Sequence, residues 1–171
     1  MTSDQRAAYD EMVAGPRGGV MGPLAMWLYS PVLAQRAQAL GVHCRFSSSL
    51  SNRRSELAIL ITARHWRSGF EWNAHAKLAR AAGLPESVIE AVGNADTPEF
   101  DDPAEEVIYV FALELLATQG VSQPVFERAR DLLGEVGVVD LIGVLGYYGL
   151  VSMTINALRI PPGKEPPFAA V

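Results

Sequence analysis

Residues 50–84 read LSNRRSELAILITARHWRSGFEWNAHAKLARAAGL, and the periodicity of this stretch decides the fold. From about Asn52, the spacing places Glu56, Ile59, Leu60 and Ala63 on one helical stripe, flanked by Leu57, Ile61 and Arg64. An apolar stripe this wide predicts a largely buried helix. Gly69 is expected to interrupt it, after which FEWNAHAKLARA resumes the helical period. Gly83 then suits the position just past a helix C-terminus, and Pro85 starts a further short helix. The stretch therefore predicts a helical hairpin.

Working outward, the same signals recur. Upstream, Ser3 is placed to cap a first helix reaching about Val13, and the glycine-rich residues Gly15 to Gly22 read as a loop. Pro23 to Tyr29 suggests a short helix, and Ser30 followed by Pro31 starts another to about Arg45, after which SSSLSN resets the chain. Downstream, Asp101 or Asp102 before Pro103 opens a helix through EEVIYVFALELLA, and Ser122 caps one through FERARDLLG. The last helix, VVDLIGVLGYYGLVSMTINAL, is apolar on nearly all sides, with Gly143, Gly146 and Gly149 at three-residue spacing. Glycine is a poor helix former, so its recurrence points to close helix packing. A helix without a polar face must be surrounded, and that predicts a subunit interface and a homo-oligomer. No segment reads as a strand, so the fold class is all-α.

Composition sets further bounds. With 171 residues, 49% of them hydrophobic, the chain suits one domain, residues 1–171. Within it, residues 1–22 are an N-terminal helix and glycine-rich entry segment. Residues 161–171 are a proline-rich tail expected to run along the surface or over a neighbouring subunit. A net charge of −5 without a basic tract argues against a nucleic-acid partner. The polar start MTSDQRAAYDEM and the lack of an apolar run of spanning length predict a cytoplasmic protein with no membrane partner. The single cysteine, Cys44, forms neither an internal disulfide nor a CxxC pair.

The chemistry concentrates in the hairpin. Glu71 and His75 stand at i, i+4 and project from one helix face, with Glu56 across the hairpin. Such pairs are also common on surface helices without any catalytic role, and Glu56 near a helix N-terminus is favoured by the helix dipole alone. Read as a site, His75 titrates near neutrality and donates a proton, Glu71 holds its tautomer, and Glu56 is the second acid or base; burial raises a carboxyl pKa. Arg64, one turn beyond Leu60, is a candidate to pair with an anionic substrate. Tyr148 and Asn156, with Tyr147, interrupt the apolar last helix as second-tier candidates for substrate binding. Glu114 and Asp140 read as exposed helix flanks. One histidine with two acids is a thin metal-ligand set, so no metal is assigned.

The segment 50–84, together with VVDLIGVLGYYGLVSMTINAL and the glycine-rich GGVMGPLAMWLYSP, resembles the carboxymuconolactone decarboxylase family of the alkylhydroperoxidase D-like superfamily over about Gly15 to Pro161. The resemblance implies an all-helical domain with a central helical hairpin, assembled as trimers or hexamers, with active sites near subunit contacts and no cofactor. The peroxidase branch carries a glutamate, then CxxC, then a histidine. Matching its outer members to Glu56 and His75 puts Ser68 and Glu71 at the cysteine positions. Serine has no oxidation cycle of the thiol type, so two-cysteine peroxide reduction is excluded. The resemblance thus implies a lyase using Glu56, Glu71 and His75 as acid and base groups on a small lactone or oxo-acid, with Ser68 near the substrate. The alternatives are an antioxidant role inherited with the fold, which the absent thiols disfavour, and a non-catalytic oligomer binding a small ligand.

Overall fold

The computed structural model describes residues 1–168, and within them every regular element is a helix. These are α1 (Ser3–Ala14), α2 (Pro23–Trp27), α3 (Pro31–Val42), α4 (Asn52–His65), α5 (Gly69–Ala81), α6 (Glu86–Asn94), α7 (Pro103–Thr118) and α8 (Gln123–Ala157), with a π-helical turn at His43–Ser47 after α3. The all-α class follows directly from the helical period of the sequence.

Helix α4 is the axis of the bundle. Every residue from Ser55 to Ala63 is buried, and α5, α6, α7 and α8 all pack on it. Ser51 caps its first turn, its side chain accepting from the Arg54 amide. The break before α5 falls two residues earlier than the glycine suggested. Arg67 takes the left-handed conformation (φ 51°), the Ser68 amide donates to Ala63 O, and the Arg67 amide to Arg64 O. These are the paired bonds of a Schellman ending. Gly69 instead opens α5, where a Cβ would lie 2.9 Å from Pro162. At the other end of α5 the same bonds recur, Leu84 to Ala79 O and Gly83 to Arg80 O, with Gly83 at φ 85° as expected.

Several starts and stops differ from the reading by a residue or two. Thr2, not Ser3, caps α1, in a reciprocal capping box with Gln5. The α-helical part of α3 ends at Val42, and the π-turn carries the chain through Arg45. The two helices expected after Ser122 run together as α8, with a left-handed break at Gly134 (φ 73°) between them. Glu114 and Asp140 are more than exposed flanks: Glu114 accepts the Ser122 amide and hydroxyl at the start of α8. Asp140 binds His43 and the amide and hydroxyl of Ser49, fixing the π-turn against α8. Burial would raise the Asp140 carboxyl, and these donors outweigh it and hold it down at about 2.

The composition of α8 has two causes. It is long and apolar enough to cross a bilayer, where the sequence reading found no run of spanning length, yet 56% of its most apolar window is packed inside the protein. Leu141, Val144, Leu145, Tyr148, Val151 and Ile155 join the one continuous core. The opposite stripe, with Val136, Val139, Ile142 and Met153, is exposed. Of its glycines, Gly149 faces Trp66 and Gly143 faces Cys44 at ordinary contact distance, whereas Gly146 faces open space. The tail folds back over α5: Asn73 Nδ2 donates to the carbonyls of Pro162 and Lys164, and Phe168 packs edge-on against Trp72. The sequence expectation for residues 169–171 lies outside the described residues.

Candidate functional site

The hairpin brings Glu56, Glu71 and His75 together. Glu56 lies in the second turn of α4, Glu71 in the first turn of α5, and His75 one turn further on. His75 Nδ1 is 2.7 Å from Glu56 Oε2, and Nε2 is 3.3 Å from Glu71 Oε2. All three side chains are more than nine-tenths buried. Burial by itself would push the imidazolium down. Hydrogen bonding and charge attraction from Glu56 and then Glu71 more than offset it, and the group is held up at about 9. His75 is therefore an imidazolium at neutral pH rather than a group titrating there.

Glu56 makes the shorter contact, at Nδ1, and lines a different cavity from the one that borders His75. Glu71 shares the cavity wall with His75. That cavity, of about 200 Å³, is lined by Arg17, Arg45, Phe70, Glu71, His75 and Tyr148 among others. Tyr148 packs edge-on against His75 with ring centres 4.9 Å apart, and its hydroxyl is buried without a hydrogen-bond partner. Burial drives this phenol far above the usual range, so it remains a neutral O–H donor. A second cavity of about 230 Å³, lined by Asn52, Ser55, Glu56 and Arg45, lies behind the ring. A wider surface groove between the tail and helices α5 and α6 holds none of the three central residues.

Arg17 and Arg45 were not found by sequence reading. Arg17 lies in the glycine-rich segment and donates from Nη2 to the Tyr147 hydroxyl at 3.2 Å; its Nε is buried with no acceptor. Tyr147 accepts that bond over Gly41, where a Cβ would fall 2.2 Å from the hydroxyl, and burial pushes the phenol up to about 12. Arg45 comes from the π-turn, a local widening of the helix that re-aims side chains. The only hint in the sequence was a pair of cations among small and apolar residues.

Three sequence candidates stand elsewhere. Arg64 donates from Nε to Gly93 O at 2.8 Å and stacks over Phe168, so it anchors α6 and the tail instead of meeting a ligand. Asn156 donates to Trp66 O at 2.6 Å, closing the α4 terminus onto α8. Ser68 is fully buried at the start of α5, with its hydroxyl unpartnered, and does not line the cavity. Cys44 is buried, and burial pushes its thiol up to about 11, which removes its nucleophilic form at neutral pH. Among the described residues, no group of three His, Cys, Asp or Glu side chains is arranged to hold a metal ion.

No family model matches the chain, and no curated protein matches it.

Proposed function

We propose that the protein is a cofactor-independent enzyme of acid–base type, a lyase resembling the carboxymuconolactone decarboxylases, acting on a small lactone or oxo-acid. The observation that carries this reading is an imidazolium clamped between two buried carboxylates on the wall of a small cavity. A structural ion pair needs one acid for one base. Here one base has two acids, and one of them reaches the ligand space.

In the proposed reaction, the bond between a carboxylate carbon and the carbon beside a carbonyl breaks. Carbon dioxide leaves and the electron pair passes into an enolate. The Tyr148 O–H donates a hydrogen bond to the enolate oxygen, where the charge develops. His75 Nε2–H delivers the proton to carbon, and Glu56 holds the ring through Nδ1 as the charge on it changes. Glu71 stabilises the imidazolium before transfer. The proton donated at carbon leaves a neutral imidazole, which solvent recharges.

The exposed apolar stripe of α8 supports the further proposal that the chain assembles with copies of itself as a trimer or hexamer, as the resemblance implies. The alkylhydroperoxidase D-like topology is part of the same proposal, supported by the central α4–α5 hairpin.

Turnover of a panel of lactones and oxo-acids, measured as released carbon dioxide or lost substrate, tests the reading. His75→Ala should lower kcat/KM by about 10²–10⁴-fold, with the oligomer and the far-UV circular dichroism retained. Equal turnover by the variant on any substrate found would sink it.

A further inference from the structure

Arg17 and Arg45 face the cavity, and among the described residues neither makes an ion pair with a carboxylate, unlike Arg53 and Arg54. Arg17 spends one N–H on Tyr147, and its Nε, enclosed away from solvent, meets no acceptor. A guanidinium N–H buried without an acceptor costs more than a made bond returns, and the Arg17 fork has donors that no protein oxygen takes up. Tyr148 presents a second unmet donor on the same wall, 2% exposed and unable to ionise at working pH. The two donors differ in kind. A guanidinium presents a charged fork that matches a carboxylate, while a phenol presents one neutral O–H that suits a carbonyl oxygen.

Charge fixes the number of carboxylates. Arg17, Arg45 and protonated His75 are three cations, against Glu56 and Glu71, which leaves one positive charge in excess around the cavity. One carboxylate neutralises it. A second would place an extra anion beside Glu71, and a neutral ligand would leave the excess positive charge unmatched. Size narrows the class further, because 200 Å³ holds about seven water molecules at liquid density.

We propose that the cavity binds a small monocarboxylate carrying one neutral carbonyl oxygen, with Arg17, assisted by Arg45, taking the carboxylate and the Tyr148 hydroxyl taking the carbonyl. This assignment names the substrate class of the site proposed above and rests on that site being the ligand cavity. Arg17 is then the residue that sets charge specificity, and it comes from the glycine-rich segment, outside the helical hairpin.

Binding distinguishes the two ideas because it needs no turnover. Levulinate, succinate and levulinamide are matched in size and differ in charge, and calorimetric titration at pH 7 compares them directly. Levulinate should bind, succinate should bind at least about tenfold more weakly, and levulinamide should show no binding. Arg17→Gln should weaken levulinate by about tenfold or more, Arg17→Lys should fall between, and Arg64→Gln should leave binding unchanged. Tyr148→Phe should abolish the preference for levulinate over pentanoate, which lacks the ketone. Unliganded melting temperatures identify any variant that fails to fold, and the three-ligand comparison on the unaltered protein stands without them. Tighter binding of succinate, equal binding of levulinamide, or no binding of levulinate would each overturn the proposal. If levulinate binds as described and no acid–base turnover is found on any substrate, the catalytic reading fails and this one survives.

Discussion

Two buried carboxylate clusters start from neighbouring positions on α4, and they differ in how their valences are filled. Arg53 forks onto Glu105 at the start of α7 through Nε and Nη2, and its Nη1 donates to Gly83 O. Glu105 is 1% exposed, both its oxygens are taken, and one cation meets one anion. The Glu56–His75–Glu71 cluster, one turn along, has two anions for one cation and borders a cavity. Burial and pairing are common to both. Each also borders a cavity, so what separates them is the surplus acid, and burial of charge beside a cavity does not by itself indicate a site.

The comparison breaks most visibly through stability. Arg53→Met leaves Glu105 charged, enclosed and unpaired, and should cost about 3–5 kcal/mol of unfolding free energy in a urea titration, with turnover per folded molecule unchanged. A loss below about 1 kcal/mol would mean that the Arg53–Glu105 cluster is no more structural than the other.

Next comes pH. The folded His75 binds its proton more tightly than the unfolded chain does, with about 9 against 6.5. Its contribution is therefore fully present below pH 6.5 and is lost as pH rises through 9. Stability should fall across that window by on the order of 3 kcal/mol, and the fall should disappear in His75→Gln. The Arg53–Glu105 cluster holds no histidine, so Arg53→Met should keep the slope. A stability profile flat from pH 6.5 to 9 in the unaltered protein would contradict the clamped imidazolium.

The smallest effect concerns the cavity wall. Gly41→Ala puts a methyl group against the Tyr147 hydroxyl and Arg17, and should cost about 1–3 kcal/mol and weaken carboxylate binding together. Lost stability with unaltered binding would show that Arg17 does not depend on Tyr147 for its position.

How much of this was legible in the sequence depended on the distance over which the signal acts. The helices were readable because their period repeats every few residues and their ends carry local marks such as Asp102 before Pro103, whose carboxylate accepts the Ala104 amide. The turn at Arg67 was misplaced because a glycine two residues on gave the stronger local signal, while tertiary packing imposed the left-handed residue. Glu71 and His75 were readable as an i, i+4 pair, and Glu56 followed from the hairpin. Which acid lines the cavity shared with Arg17 and Tyr148 was not, since that depends on where α8 and the glycine-rich segment close the wall. Arg64 was chosen for its place on the right helix, and its side chain turns instead to Gly93. Arg17 and Arg45 sit on a loop and a π-turn, where no periodicity applies.

The contact between Arg17 and Tyr147 also bears on synthesis of the chain. The two residues are separated by 130 positions, and a ribosome adding about 5–20 residues per second takes roughly 7–26 s to pass from one to the other. During that interval the hairpin residues emerge without the wall that will enclose them. Glu56, Glu71 and His75 are therefore born in water, and desolvation of the cluster comes as a late event of folding, after α8 arrives. A nascent chain halted before Tyr147 would carry Glu56, Glu71 and His75 with the α8 side of their cavity still open to water.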